Sequence, residues 1–297
     1  MNNYQILKYR FIRIVVDSIR FFYPENKEVR SFFILGSGRN GSTLLASILN
    51  AHKNIFIPPE QFVLPYAIIL KYIYFFLPNS FWSQKVVSMF KASNKTLNWK
   101  LDWTHLNINA RNIATLFNSI YIHYSKKYKK DDCIWGDKTP LNIHFLYFIY
   151  PEFKSSKYIF MIRDPRDVVL SYKKLHKHRA SQTKYAILKW KDSIAKLRYL
   201  QRNTDVIIVR YEDLVNNTEI EIQKIITHLS VEKEENLIRR KNNASSMGVE
   251  QKLHHQNLNK PINTNSIGKW KDGLTKQEIS VINNSCSKYY EEFGYSV

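Results

Sequence analysis

The chain is poor in cysteine and in acid. Two cysteines in 297 residues, Cys133 and Cys286, cannot build a disulfide framework, and they suit a reducing compartment. No Cys/His spacing points to a metal, so His176, His178 and the pair His254–His255 read as surface or acceptor-side residues. Asp and Glu number 25 against 45 Lys and Arg, giving a net charge of +20 and implying anionic partners. That charge comes with no recognisable nucleic-acid motif. Long unbroken apolar runs are missing too. In residues 1–30, Ile12, Val15, Val16 and Ile19 recur at helical spacing, but Arg10, Arg13, Asp17 and Arg20 interrupt them. This argues against a membrane span and an ordinary signal peptide. The run from Phe62 to Pro78 contains Pro65 and Lys71 and is short for a bilayer, so it reads as a buried helix or a pocket wall. There is no internal repeat and no clear linker.

What is present centres on Ser31–Leu49, SFFILGSGRNGSTLLASIL. It predicts a short strand, a loop with three glycines and an amphipathic helix. The outer glycines of Gly36-Ser-Gly-Arg-Asn-Gly41 have the spacing of a phosphate-binding loop. Glycines let successive N–H groups face one anion, and the helix N-terminus adds partial positive charge. An ATP-hydrolysing loop carries Lys after its last glycine; here that residue is Ser42, and the cation sits inside the loop as Arg39. The pattern suits cradling a phosphate without hydrolysing a nucleotide. Of five Asn-x-Ser/Thr sequons, one is Asn40-Gly-Ser in this loop, so the sequons read as asparagine abundance.

Further strand–loop–helix units follow. Asn54–Ile57 reads as a short strand stopped by Pro58-Pro59-Glu60, and Cys133–Pro140 as a strand end that presents Lys138. Lys157–Ile162 is a strand leading into Arg163-Asp-Pro-Arg-Asp, with Pro165 in the first helical turn, Asp164 as its cap and Ser171 about two turns along. Asp205–Arg210 is another strand, running into Tyr211. Residues 216–240 read as helical, 241–268 as irregular and polar, and Thr275–Phe293 as a last helix. Alternating units of this kind predict an α/β protein: a P-loop-type three-layer fold with a central parallel sheet flanked by helices. Residues 1–30 form a basic amphipathic segment, packed on the domain or lying on an anionic membrane. Residues 31–297 form a single domain.

The two strand–helix turns, GSGRNGSTLL and RDPRDVVLSY, resemble the cofactor signatures of sulfotransferases that use 3′-phosphoadenosine-5′-phosphosulfate (PAPS). The protein-tyrosine sulfotransferase branch is the most similar. Its motifs are matched by Arg39-Asn-Gly-Ser-Thr-Leu, by Asn50-Ala-His, by Pro59-Glu60 and by Gly136-Asp-Lys138-Thr-Pro. Lys260-Pro-Ile-Asn with Lys269-Trp270 resembles its closing segment. Departures include Pro59 for one glutamate of a pair, Leu175 for an arginine, and no stretch like the family's N-terminal anchor.

The resemblance implies that Glu60 is the general base, with Arg39 and Lys138 stabilising the sulfuryl and the leaving phosphate. The apolar run beside Glu60 would desolvate its carboxylate and raise its pKa; the bland alternative for Glu60 is an ion pair with Arg39. The loop residues Asn40, Gly41, Ser42 and Thr43 would hold the 5′ phosphate. Arg163 and Ser171 would hold the 3′ phosphate, with Tyr211 and Lys269 closing the site. No metal is required. The acceptor is a hydroxyl: a protein tyrosine, or alternatively a carbohydrate or small molecule. The location expected is cytoplasmic, with membrane contact through residues 1–30. Readings from other classes are a P-loop nucleotide kinase or NTPase and a non-catalytic nucleotide-binding protein.

Overall fold

The computed structural model describes residues 3–22, 28–97, 101–106, 108, 110–128, 130, 132–175, 179–238, 247 and 261–296. In chain order these form α1 (Asn3–Phe22), β1 (Ser31–Gly36), α2 (Ser42–Leu49), β2 (Ile55–Phe56), α3 (Leu64–Ile73), α4 (Asn79–Leu97) and α5 (Ile113–Lys126). Next come β3 (Ile134–Asp137), α6 (Leu146–Glu152), β4 (Lys157–Ile162), α7 (Pro165–Lys173), α8 (Thr183–Asn203) and β5 (Val206–Arg210). The chain ends with α9 (Tyr211–Asn216), α10 (Thr218–His228), α11 (Trp270–Gly273), α12 (Lys276–Cys286) and α13 (Tyr290–Phe293). The strands form a parallel five-stranded sheet in the order β2-β3-β1-β4-β5, flanked by helices, as the alternating pattern predicts. β1 is buried along its whole length and β4 along all but its first residue. That is why both are continuous apolar runs rather than alternating ones.

The chain divides into two compact units, Met1–Phe32 with Lys53–Ser156 and Ala244–Gln251, and Phe33–His52 with Lys157–Asn243 and Lys252–Val297. In the first, β2 pairs with β3 (Ile55 with Ile134, Phe56 with Trp135), and α3 packs on α1, α4, α5 and α6. Its core includes Trp135 edge-on to Tyr121, ring centres 4.5 Å apart. In the second, β4 pairs with β5 from Tyr158–Val206 to Ile162–Arg210, and α7 packs on α8, α11 and α12. The helices expected over 216–240 and 275–293 are shorter. α10 stops at His228. Thr275 caps α12 through a capping box with Glu278, but the helix ends at Cys286 and resumes after a 3₁₀ turn as α13. The break leaves Tyr290 and Phe293 both buried, Phe293 edge-on to Trp190. Most of the expected irregular segment, 241–246 and 248–260, lies outside the described residues, as do His176, His178, His254, His255 and Lys260.

Candidate active site

In the second unit, the loop after β1 is shaped by left-handed backbone. Gly41 has φ +86° and caps α2; a side chain there would run into the Tyr211 ring, 2.4 Å from where its Cβ would stand. Arg39 has φ +57°, uncommon for any residue but glycine and costing roughly 1–2 kcal/mol. Such strain is a mark of functional loops. Asn40 is buried and points inward: its Nδ2 donates to the Met161 carbonyl at 2.8 Å. What Asn40 offers a ligand is therefore its main chain. Ser42 and Thr43 begin α2 and are half-buried at its N-terminus. The Tyr172 hydroxyl donates to the Ser37 carbonyl at 2.8 Å and fixes the loop from α7.

The junction after β4 brings the expected second grip to this loop. Asp164 caps α7, accepting from the Arg166 N–H, and Pro165 opens the helix. Arg39 Nε donates to Ser171 Oγ at 3.0 Å. Arg163 Nη1 donates to the Arg39 carbonyl at 3.2 Å, and its Nη2 donates to the Ser266 carbonyl at 2.5 Å. The Arg163 guanidinium lies 4.4 Å from the centre of the Tyr211 ring. Thus Arg39, Asn40, Gly41, Arg163, Ser171 and Tyr211 come together.

Neither arginine donates a hydrogen bond to a carboxylate among the described residues. Arg163 is buried and its Nε has no hydrogen-bond partner. Its carboxylate neighbour Asp167 stands off at 3.9 Å. Burial pushes the Arg39 guanidinium below its ordinary value; Tyr172 opposes that shift and Arg163 adds to it. A buried donor without an acceptor, beside a second arginine, fits an anionic group such as a phosphate.

Asp167, which the sequence reading passed over, ties down the segment that carries Lys269. It accepts from the Gly268 N–H at 2.8 Å and the Trp270 N–H at 3.0 Å. Lys269 is exposed between these two anchors. Trp270 in turn lies under the Arg166 guanidinium, 4.0 Å from ring centre to charge, while Asp164 grips Arg166 with both oxygens. The second arginine of RDPRD is thereby a structural residue. Glu212 was also missed: it accepts from the Asp164 N–H and from the Tyr295 hydroxyl, and burial pushes its carboxyl up. The signal available was its place directly after Tyr211 at the end of β5.

In the first unit, Glu60 and Lys138 follow the carboxyl ends of the paired strands β2 and β3. Lys138 Nζ donates to Glu60 Oε1 at 2.5 Å, with both side chains mostly withdrawn from solvent. Glu60 thus has an ammonium beside its carboxylate. The residues beside the pair anchor it. Gln61 donates through Nε2 to Asp137 at 2.7 Å, and its N–H donates to Thr139 Oγ1 at 3.1 Å. Gln61 Oε1 accepts from the Val63 and Leu64 N–H groups, seating the start of α3. Asp137 also accepts from the Tyr121 hydroxyl and from Asn142 Nδ2, and burial pushes its carboxyl up against the pull of Thr139, Gln61 and Tyr121. Among the described residues, no group of three or more His, Cys, Asp or Glu is placed to hold a metal.

Comparison with known proteins gives one consistent picture. A family model described as Sulfotransferase family matches residues 31–235. A Caenorhabditis briggsae protein named "Putative protein-tyrosine sulfotransferase" is 23% identical over 275 residues, 89% of this chain and 88% of its own length. The sulfotransferase domain of the Synechococcus olefin synthase aligns with a TM-score of 0.63 at 20% identity, over 92% of this chain and 98% of that one. A mouse sulfotransferase, SULT7A1, complexed with PAP, aligns with a TM-score of 0.50 at 11% identity, over 93% of this chain and 89% of its own. At these identities the solved structures share the fold.

Proposed function

Because this chain belongs to the sulfotransferase family, we propose that it moves the sulfuryl group of PAPS to an acceptor hydroxyl by in-line transfer. The observation that carries the reading is the pair Arg39 and Arg163, two withdrawn guanidinium groups with a buried Nε left over. PAPS supplies the missing charge as two phosphates, and the solved PAP complex of a structural neighbour is consistent with that choice. In this reading Arg39, the main chain of Asn40 and Gly41, and the turn Ser42–Thr43 hold the 5′ phosphosulfate. Arg163 and Ser171 take the 3′ phosphate, Tyr211 supports the adenosine side, and Lys269 closes over it.

Glu60 accepts the proton of the acceptor hydroxyl as its oxygen bonds to sulfur. The sulfur–oxygen bond to the 5′ phosphate breaks, and PAP keeps the bonding pair. Lys138 has three N–H donors, so it can hold Glu60 and still donate to the oxygen that gains charge. Positioning and charge stabilisation are what such transfers need most, as in phosphoryl transfer.

The acceptor we infer is a protein tyrosine, supported by the name of the nematode relative and by the motifs around Arg39 and Glu60. The two free, buried cysteines suit a cytoplasmic setting. Incubation with ³⁵S-labelled PAPS and tyrosine peptides, oligosaccharides or phenols, followed by mass spectrometry, tests both steps. Label on the peptide tyrosine is the expected result. Label on a glycan or phenol moves the acceptor and keeps the transfer; ATP hydrolysis with no PAPS binding discards the whole reading.

A further inference from the structure

α1 packs one face on the first unit and leaves an apolar stripe on the other. On the packed face Val16 is buried, Tyr9 donates to the His144 carbonyl, and Arg20 is held by Tyr72 and Glu152. The opposite stripe is Leu7, Phe11, Ile14 and Phe21, at steps of three, four and seven residues, with Phe22 beside Phe21. These side chains are 64% to 81% exposed. The neighbouring helix also ends in exposed apolar side chains. Arg20 bonds Tyr72 near the end of α3, where Ile73 is 54% and Phe76 69% exposed. Large apolar side chains exposed in this number mark an interaction surface.

Charge selects the occupant. Lys8 and Arg10 are exposed on either flank of the stripe, where their stems can lie along an apolar layer and their heads reach anionic groups. The helix has one acid, Asp17, already engaged by Arg13 and Arg20. A second copy of a chain with net charge +20 is repelled. A bilayer carrying anionic headgroups attracts it. No helix among the described residues is long and apolar enough to cross a membrane, and α1 is tied by polar bonds on its inner face. We propose that α1, with the end of α3, docks the protein flat on an anionic membrane surface, the phenyl rings of Phe11, Phe21 and Phe22 entering the headgroup boundary. This proposal does not depend on the sulfuryl-transfer reading.

The test is flotation of the full chain with vesicles of phosphatidylcholine alone or with 30% phosphatidylglycerol. Expected is at least tenfold more binding to the anionic vesicles, weakened by salt. Phe11→Ser/Phe21→Ser/Phe22→Ser should reduce that binding at least tenfold with an unchanged circular dichroism melt. Lys8→Glu/Arg10→Glu should lower it several-fold and flatten the salt dependence. Equal binding to both vesicles, or full binding by both variants, overturns the proposal. So does a dimer in light scattering that the triple variant dissociates, with no vesicle binding, because a second copy then covers the face. If the triple variant does not fold, the charge variant alone decides.

Discussion

The candidate-site cations of the two units are held in different ways. In the second, Arg39 and Arg163 are held by a hydroxyl, by main-chain carbonyls and by an aromatic ring, with the Asp167 carboxylate 3.9 Å from Arg163. In the first, Lys138 is matched at once by Glu60, and a fully buried network around Asp137 seats the residues on either side. In the proposed function the arginine pair binds the donor and the Lys138–Glu60 pair serves the transfer. The contrast separates donor affinity from turnover, and the two should be separable by substitution.

The sharpest break is Glu60→Gln. Turnover should fall roughly 10²–10⁴-fold, the range for loss of a general base, while PAP affinity by calorimetry stays within about twofold. Wild-type turnover in that variant would end the assignment. Arg163→Ala should do the reverse: PAP binding weakens by about 1.5–3 kcal/mol, the worth of a hydrogen bond to a charged group, with the catalytic step at saturating donor changed far less. Equal losses in both parameters would erase the division of labour.

Asp167→Asn tests the next layer. The segment at Gly268 and Trp270 should exchange its amide hydrogens faster, and donor affinity should drop a few-fold with turnover preserved. Unchanged exchange would show the anchor to be redundant. Tyr121→Phe should cost about 1 kcal/mol of stability in urea denaturation, with donor affinity unaltered, since it removes one donor to Asp137 in the first unit only.

The smallest effect concerns pH. Burial holds the Asp137 carboxyl above its ordinary 3.8, so the folded state keeps its proton longer than the unfolded one. Its contribution is fully present below that ordinary value and is lost as pH rises through the folded-state value. Asp137→Asn should therefore lose less stability than the parent across that window; parallel pH curves would remove this account.

The strands, the glycine loop and the Asp164–Pro165 helix start were legible because local chemistry dictates them. β4 falls on the predicted residues, and β5 begins within one residue of its predicted start. Glu60 and Lys138 were legible as candidates only through spacing shared with a family. Asp167 and Gln61 were not, since nothing in RDPRD or in PPEQ reveals which polar group will meet a distant N–H. Nor did the apolar spacing of α1 say that Val16 would turn inward and Phe21 and Phe22 outward.

By itself, then, the sequence determined where backbone curls, where strands run and which residue types stand at their ends. These follow from steric freedom, capping and burial within a few neighbouring residues. Only the tertiary structure decided which charges are cancelled. Lys138 meets Glu60 across 78 positions, Arg39 meets Ser171 across 132, and Arg163 meets Ser266 across 103. Charge compensation falls off over a few ångströms in space and takes no account of distance along the chain.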